Sequence, residues 1–375
     1  MKWYNLIAWF FWDPPREAFT IPFFNHPVVW YGILFVTGFI FAYFIFNPIL
    51  SRFLIQSRHL SSLDITNWPR LIEELRTSSS PIISQLMGQF DPSVSQKLKQ
   101  NPSMPLTPSL QQSILEGFNR LLQHSSISRD DLQKVFGKTL ASPEQTAYFL
   151  TDRLMWFVVI GTVVGARLGD VFFYNWPHFR EHPFEIFQVW RGGLASHGGF
   201  LGVIISLYLY LKSIHQWIPQ LTFLRLLDYA AIPTALVCCF IRLGNFLNQE
   251  ILGIPTTMPW GIIFGHPVDG SSVLPRHPIQ LYEAMLYLIT FWIVWLLWRT
   301  HRLDDRPGAL LGFTFILGFG GRFILEFWKS VQESIFDSSF LQIGQILSIP
   351  FIVLGAYLIC RSKNSASCSP QSFEN

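Results

Sequence analysis

The sequence predicts an all-α polytopic membrane protein, with about seven transmembrane helices and a long polar insert between the first and the second. Three observations carry this. Half of the 375 residues are hydrophobic and only 14% are charged, whereas soluble domains carry nearer a quarter charged residues. Seven apolar runs are long enough, or nearly so, to cross a hydrocarbon core, which takes about 20 residues per helix. Residues 51–150, by contrast, hold no such run. The formal net charge is only +3, with no long basic run, which argues against nucleic acid as a partner.

The apolar start Trp3 to Trp12 is short, aromatic and followed by Asp13-Pro14-Pro15, which fits an interfacial segment better than a cleavable signal. The runs follow at approximately 28–50, 153–173, 196–213, 226–243, 279–298, 309–327 and 340–360. The third is interrupted by Gly192-Gly193 and Gly198-Gly199, but Phe200 to Leu211 is strongly apolar and Lys212 supplies a stop. In the insert, the Thr77-Ser78-Ser79-Ser80 cluster and the Pro102/Pro105/Pro108 stretch read as linkers. Helices are expected near 110–123 and 129–136, where Ser128 before Asp130 and Asp131 supplies an N-cap and first turn. The chain thus divides into an outer segment with the first helix (1–50), a cytoplasmic insert (51–150), a six-helix membrane domain (151–360) and a cytoplasmic tail (361–375).

Lysine and arginine near the span ends set orientation. Arg52, Arg58, Lys212, Arg225, Arg299, Arg302, Arg306, Arg361 and Lys363 fall on one side, which should face the cytoplasm. Lys2, Arg16, Arg180, Arg191, Arg276 and Lys329 fall on the other. Cys238, Cys239, Cys360 and Cys368 have no metal-ligand spacing and read as small core residues.

With that topology, polar side chains converge on the outer ends of four helices. Tyr31 opens the first span, His197 opens the third, Arg242 and Asn245 close the fourth, and Arg322 and Glu326 lie in the outer part of the sixth. An ionisable group at membrane depth needs a partner or a water-filled cavity, so each is a candidate functional residue. Arg242 offers a planar fork of donors suited to phosphate or carboxylate, and Asn245 stands one helical turn away. Arg322 and Glu326 could equally pair with each other at i,i+4. The glycines flanking His197 strip side chains from one face and suit close approach of a ligand or of another helix. In Pro275-Arg-His-Pro-Ile-Gln-Leu-Tyr-Glu283, Arg276 and His277 are expected at the outer surface, binding an anionic headgroup or anchoring at the interface, with Gln280 and Glu283 entering the fifth span.

Several of these stretches together resemble one family. Tyr31-Gly32, Gly165-Ala-Arg-Leu-Gly169 with Phe172-Phe-Tyr-Asn175, and His197-Gly-Gly-Phe-Leu-Gly202 are similar to successive motifs of the prolipoprotein diacylglyceryl transferases. So are Gly244-Asn-Phe-Leu-Asn-Gln-Glu250, Pro275 to Glu283, and Gly344-Gln-Ile-Leu-Ser-Ile-Pro350. The resemblance covers about 22–50 and 150–360. It implies a seven-span inner-membrane enzyme that moves the diacylglyceryl group of phosphatidylglycerol to the lipobox cysteine of a prolipoprotein, releasing glycerol 1-phosphate. It also implies catalytic roles for His197, Arg242 and Arg322. Substrate-binding roles would fall to Arg242, Asn245, Glu250, Gly253 and Tyr31, and placement in the chain adds Arg276, Gln280, Glu283 and Glu326 as candidates. Two departures stand out: Ile241 precedes Arg242 where the family has glycine, and Gly318 and Phe319 stand where a sixth-span tyrosine is expected.

The chemistry implied is thiolate attack on the glyceryl carbon that bears phosphate. An imidazole suits the proton transfer, which nominates His197, with Glu250 and Glu326 as alternative bases. Guanidinium groups would stabilise the leaving phosphate. No cofactor or metal is required, and the partners expected are phosphatidylglycerol, lipobox segments and surrounding membrane lipids, with no nucleic acid. The rival readings are a transporter or channel with an anion-binding outer vestibule and a non-catalytic lipid-binding scaffold; no internal repeat supports the first.

Overall fold

The computed structural model describes residues 9–22, 26–100, 106–189, 192–193, 195–330 and 341–367. Lys2, residues 3–8 of the expected interfacial segment, Pro102, Pro105, Arg191, Cys368 and the end of the tail lie outside them. Seven helices among the described residues are long and apolar enough to cross a membrane: Trp30–Gln56, Pro143–Phe173, Ser196–Ile214, Phe223–Leu247, Ile279–Arg299, Ala309–Trp328 and Ile343–Arg361. In chain order the α-helices are α1 (Trp30–Gln56), α2 (Trp68–Thr77), α3 (Pro81–Gln89), α4 (Pro92–Gln100), α5 (Pro108–His124), α6 (Arg129–Phe136), α7 (Pro143–Phe173), α8 (Trp176–Glu181), α9 (Ser196–Ile214), α10 (Phe223–Leu247), α11 (Ile279–Arg299), α12 (Ala309–Leu325) and α13 (Ile343–Ser367). The chain forms two compact units, residues 46–226 and residues 1–45 with 227–375.

In the unit 46–226, α7 begins ten residues before the expected apolar run. Its start is fixed by a reciprocal cap: the Ser142 hydroxyl accepts from the Gln145 amide at 3.3 Å, and the Gln145 side chain accepts from the Ser142 amide at 2.9 Å. At 31 residues the helix is about 46 Å long, so its first turns project beyond a hydrocarbon core of about 30 Å. Glycines set its packing on α9. A Cβ on Gly165 would stand 2.8 Å from the Gly202 Cα, and one on Gly169 2.7 Å from the Gly198 Cα. Without a hydrophobic force between helices in lipid, such backbone contact is what holds a pair together. The glycines beside His197 therefore serve a neighbouring helix.

The insert is a helical body with its own core, including Leu71, Leu86, Ile114, Phe118, Leu121, Leu132 and Phe136. Residues 78–80 link α2 to α3 as expected, whereas Pro108, read as a linker, starts a helix: Pro81 and Pro108 occupy first-turn positions behind Ser80 and Thr107, where the missing N–H costs nothing. Buried Arg129 pairs with Asp64, whose Oδ1 also accepts from the Thr146 hydroxyl at 2.8 Å, joining the insert to the first turn of α7.

In the other unit, α12 and α13 cross at Gly312 and Gly355, where a Cβ on either would come within 2.8 Å of the other's carbonyl oxygen. The Asp228 carboxylate accepts from the Gly308 amide at 2.5 Å and the Leu311 amide at 2.8 Å, satisfying donors at the start of α12. Two small sheets add to the helices. Strand β1 (Phe10–Trp12) pairs in parallel with β4 (Ile262–Phe264), which pairs antiparallel with β5 (Pro275–Arg276); β2 (Glu17–Ile21) and β3 (His26–Val29) form a hairpin. Trp12 stacks on Phe246 with centroids 4.7 Å apart, over a core of Leu252, Ile262 and Phe264.

Candidate functional site

The site is built on the C-terminal turns of α10. Arg242 and Asn245 share a face, and the Arg242 Nη1 donates to the Asn245 Oδ1 at 3.3 Å. The chain then turns back through Gln249 and Ile251, both at φ +56°, which brings the Glu250 carboxylate under the end of its own helix. There it accepts from the Asn245 Nδ2 and the Asn248 Nδ2, each at 3.0 Å. The Arg16 guanidinium lies 3.8 Å from the same carboxylate. Tyr31 lies in electrostatic contact with both Arg242 and Glu250. Its ring needs Gly244: a Cβ there would stand 2.8 Å from the Tyr31 Cδ2.

Helix α11 supplies the second wall. Gln280, Glu283 and Tyr287 fall on one face by their spacing. Gln280 is fully buried and donates to the Glu250 backbone oxygen at 2.6 Å. Glu283, only 1% exposed, holds the Arg242 Nε at 3.0 Å. Tyr287 lies against the Arg242 guanidinium.

Helix α12 supplies the third. Arg322 is half-buried and close enough to act electrostatically on Tyr287, Cys238 and Lys329. Among the described residues its guanidinium has no hydrogen-bond or ion-pair partner. The alternative of an Arg322–Glu326 pair does not occur: Glu326 faces Lys329 at 3.6 Å, over Gly344, where a Cβ would stand 2.6 Å from the Glu326 Oε2. Lys329, read from sequence as an outer anchor, is buried. Burial pulls its ammonium below the ordinary lysine value, and Glu283 and Glu326 hold it up in part.

Arg276 and His277 are corrected by the structure. They do not lie at the outer surface but are 6% and 9% exposed. The Arg276 Nη1 donates to the Gly253 carbonyl at 3.1 Å, so it fastens the loop. The His277 ring lies 3.2 Å from the Tyr282 hydroxyl, and burial holds its pKa below the usual histidine value. Gly253 is required by packing: a Cβ would overlap the His277 carbonyl and stand 2.8 Å from the His277 Cβ.

His197 belongs to the unit 46–226 and is exposed in the first turn of α9, its Nδ1 3.4 Å from the Tyr174 hydroxyl. Buried Arg167 organises the approach to it, donating to the carbonyls of Ile186 at 2.9 Å, Glu185 at 2.5 Å and Gly192 at 2.8 Å. The Ala195 amide donates to the Ala166 carbonyl at 2.9 Å, fixing the residue that caps α9.

Among the described residues, then, Arg242, Arg322 and Lys329 face Glu283 and Glu326, three cations against two carboxylates. Neighbouring Glu250 is matched by Arg16, so one positive charge is left over. Sequence reasoning missed Lys329 and Tyr287 as members of this site, and it placed Asn248 in the motif without a role. Seven helices of membrane-crossing length and apolarity among the described residues define a polytopic membrane protein, and this cation-rich cluster gathers on the ends of three of them.

A model of the prolipoprotein diacylglyceryl transferases matches residues 132–361. A phosphatidylglycerol–prolipoprotein diacylglyceryl transferase of Protochlamydia amoebophila is 50% identical over 359 residues, 96% of each chain, and so spans the insert as well. Enzymes of that name from Tolumonas auensis and Chlamydia pneumoniae are 43% and 40% identical, over 56% and 54% of this chain and 78% and 71% of their own. The chain belongs to the prolipoprotein diacylglyceryl transferase family. The transporter reading gives way to it.

Proposed function

We propose that the chain transfers the sn-1,2-diacylglyceryl group of phosphatidylglycerol to the lipobox cysteine of prolipoproteins, in the bacterial inner membrane with the reacting end toward the periplasm. The observation that carries this reading is the surplus positive charge of the Arg242, Arg322 and Lys329 cluster, which fits the single negative charge of a phosphodiester. The cysteine sulfur forms a bond to the glyceryl carbon as that carbon's bond to the phosphate oxygen breaks. The electron pair leaves with glycerol 1-phosphate, and Arg242 and Arg322 offset the charge gathering on it in a low-dielectric setting.

The thiol must first lose its proton, since a free cysteine of pKa about 8.5 is only slightly ionised at pH 7. We assign this step to His197 on its exposed imidazole and on the family-like motif that carries it. The two alternative carboxylates are engaged: Glu250 accepts two amide hydrogen bonds and Glu326 faces Lys329. Asn245 and Glu250 orient the Arg242 fork, and Tyr31 closes its flank.

The test is purified protein in vesicles with a lipobox peptide, read by mass spectrometry for the thioether and by release of glycerol phosphate. Transfer is expected from phosphatidylglycerol and not from phosphatidylcholine. Absence of transfer from phosphatidylglycerol, or binding of it without glycerol phosphate release, overturns the reading.

A further inference from the structure

Tyr287 is the one member of the α11 face whose hydroxyl is not engaged in building the site. Gln280 is tied to the Glu250 backbone and Glu283 to Arg242. One turn beyond Glu283, Tyr287 is in electrostatic contact with Arg242, Arg322, Cys238 and Glu283. Arg242 donates toward the Tyr287 oxygen. A guanidinium has only donors, so in that contact the phenol accepts and its own hydrogen is left over. Among the described residues that hydrogen has no acceptor, and the two nearest guanidiniums cannot supply one.

Gly318 on α12 shows how the ring is accommodated. A Cβ built there would stand 3.8 Å from the Tyr287 Cε1, its nearest neighbour. A residue with a longer side chain at 318 would enter the space the phenol fills.

We propose that Tyr287 is a third ligand of the headgroup phosphate, donating its phenolic hydrogen to an oxygen that Arg242 and Arg322 also hold. The inference rests on reading the cluster as the phosphatidylglycerol site. A neutral phenol between the two guanidinium forks adds a further hydrogen bond to the phosphate without adding charge.

Tyr287→Phe removes the hydrogen and keeps the ring. With the full chain reconstituted in vesicles, the KM for phosphatidylglycerol and for the lipobox peptide are measured separately. The expected result is a fall in kcat/KM for the lipid of roughly 10-fold to 100-fold, the range for a hydrogen bond to a charged group, with the KM for peptide unchanged. Wild-type kcat/KM for the lipid, or equal losses toward both substrates, overturns the role of Tyr287 while leaving the transferase reading intact. Failure of the wild-type chain to transfer at all defeats that reading instead. Should the phenylalanine variant not accumulate, Gly318→Leu displaces the ring with its hydroxyl still present. The same lipid-selective loss is expected from it, and a wild-type lipid KM overturns the proposal.

Discussion

Replacing Arg242 by alanine should abolish measurable transfer, and the structure separates two reasons for it. The Arg242 Nε stands 3.0 Å from a Glu283 carboxylate that is 1% exposed. Two unit charges at that distance attract by roughly 5–6 kcal/mol at an effective dielectric of 20, before desolvation is subtracted. Truncating one partner strands the other, a loss of about 3–5 kcal/mol for a buried pair. The chemical step also loses a donor to the leaving phosphate, about 3–4 kcal/mol or roughly 100-fold to 1000-fold in kcat. The second change Glu283→Gln distinguishes the two, since it removes the stranded carboxylate. Arg242→Ala should lower the thermal midpoint in detergent and transfer by at least about 100-fold. The double variant should recover most of the midpoint and none of the turnover. If it transfers at the wild-type rate, Arg242 serves only to neutralise Glu283 and the phosphate role is refuted.

Other consequences are more local. Gly253→Ala places a Cβ against the His277 backbone and should destabilise by about 1–3 kcal/mol, lowering the thermal midpoint; an unchanged midpoint would mean the loop yields freely. Gly165→Val should loosen the α7–α9 contact by a similar amount, seen as faster amide exchange in both helices. In the insert, the Ser128 hydroxyl and backbone hold the Asp131 pKa at about 2, below its ordinary 3.8. A depressed carboxylate stabilises the fold above the unfolded pKa and loses that contribution as pH falls through the folded one. Protection of α6 amides should therefore decline between about pH 4 and about pH 2, and Asp131→Asn should remove that decline.

The seven spans were legible because lipid imposes one requirement, a run of some twenty apolar residues, and the described residues meet it seven times. Arg242, Asn245 and Glu250 were legible because helical spacing and a turn put them on one side. Tyr287 was not: between Leu286 and Leu288 it reads as one more aromatic in a lipid-facing run. Lys329 and Arg276 carry the charge of interface anchors, and only the loop that returns over Gly253 turns them inward. The insert's helices α2, α3 and α4 hid behind prolines and serines, which mark helix starts as readily as linkers. The pairing of Phe10 with Ile262 spans most of the chain and leaves no local pattern. The roles of His197 and Arg322 come from the family resemblance, since neither side chain's local contacts announce one.

The positive surplus of the cluster among the described residues also bears on how the proposed reaction would end. A diester headgroup cancels it and can rest there at little electrostatic cost. The monoester that departs carries about −1.5 to −2 near pH 7, so it overshoots neutrality where stray charge is poorly tolerated. The same arrangement that welcomes the incoming lipid thus repels the spent headgroup toward water and clears the way for the next one.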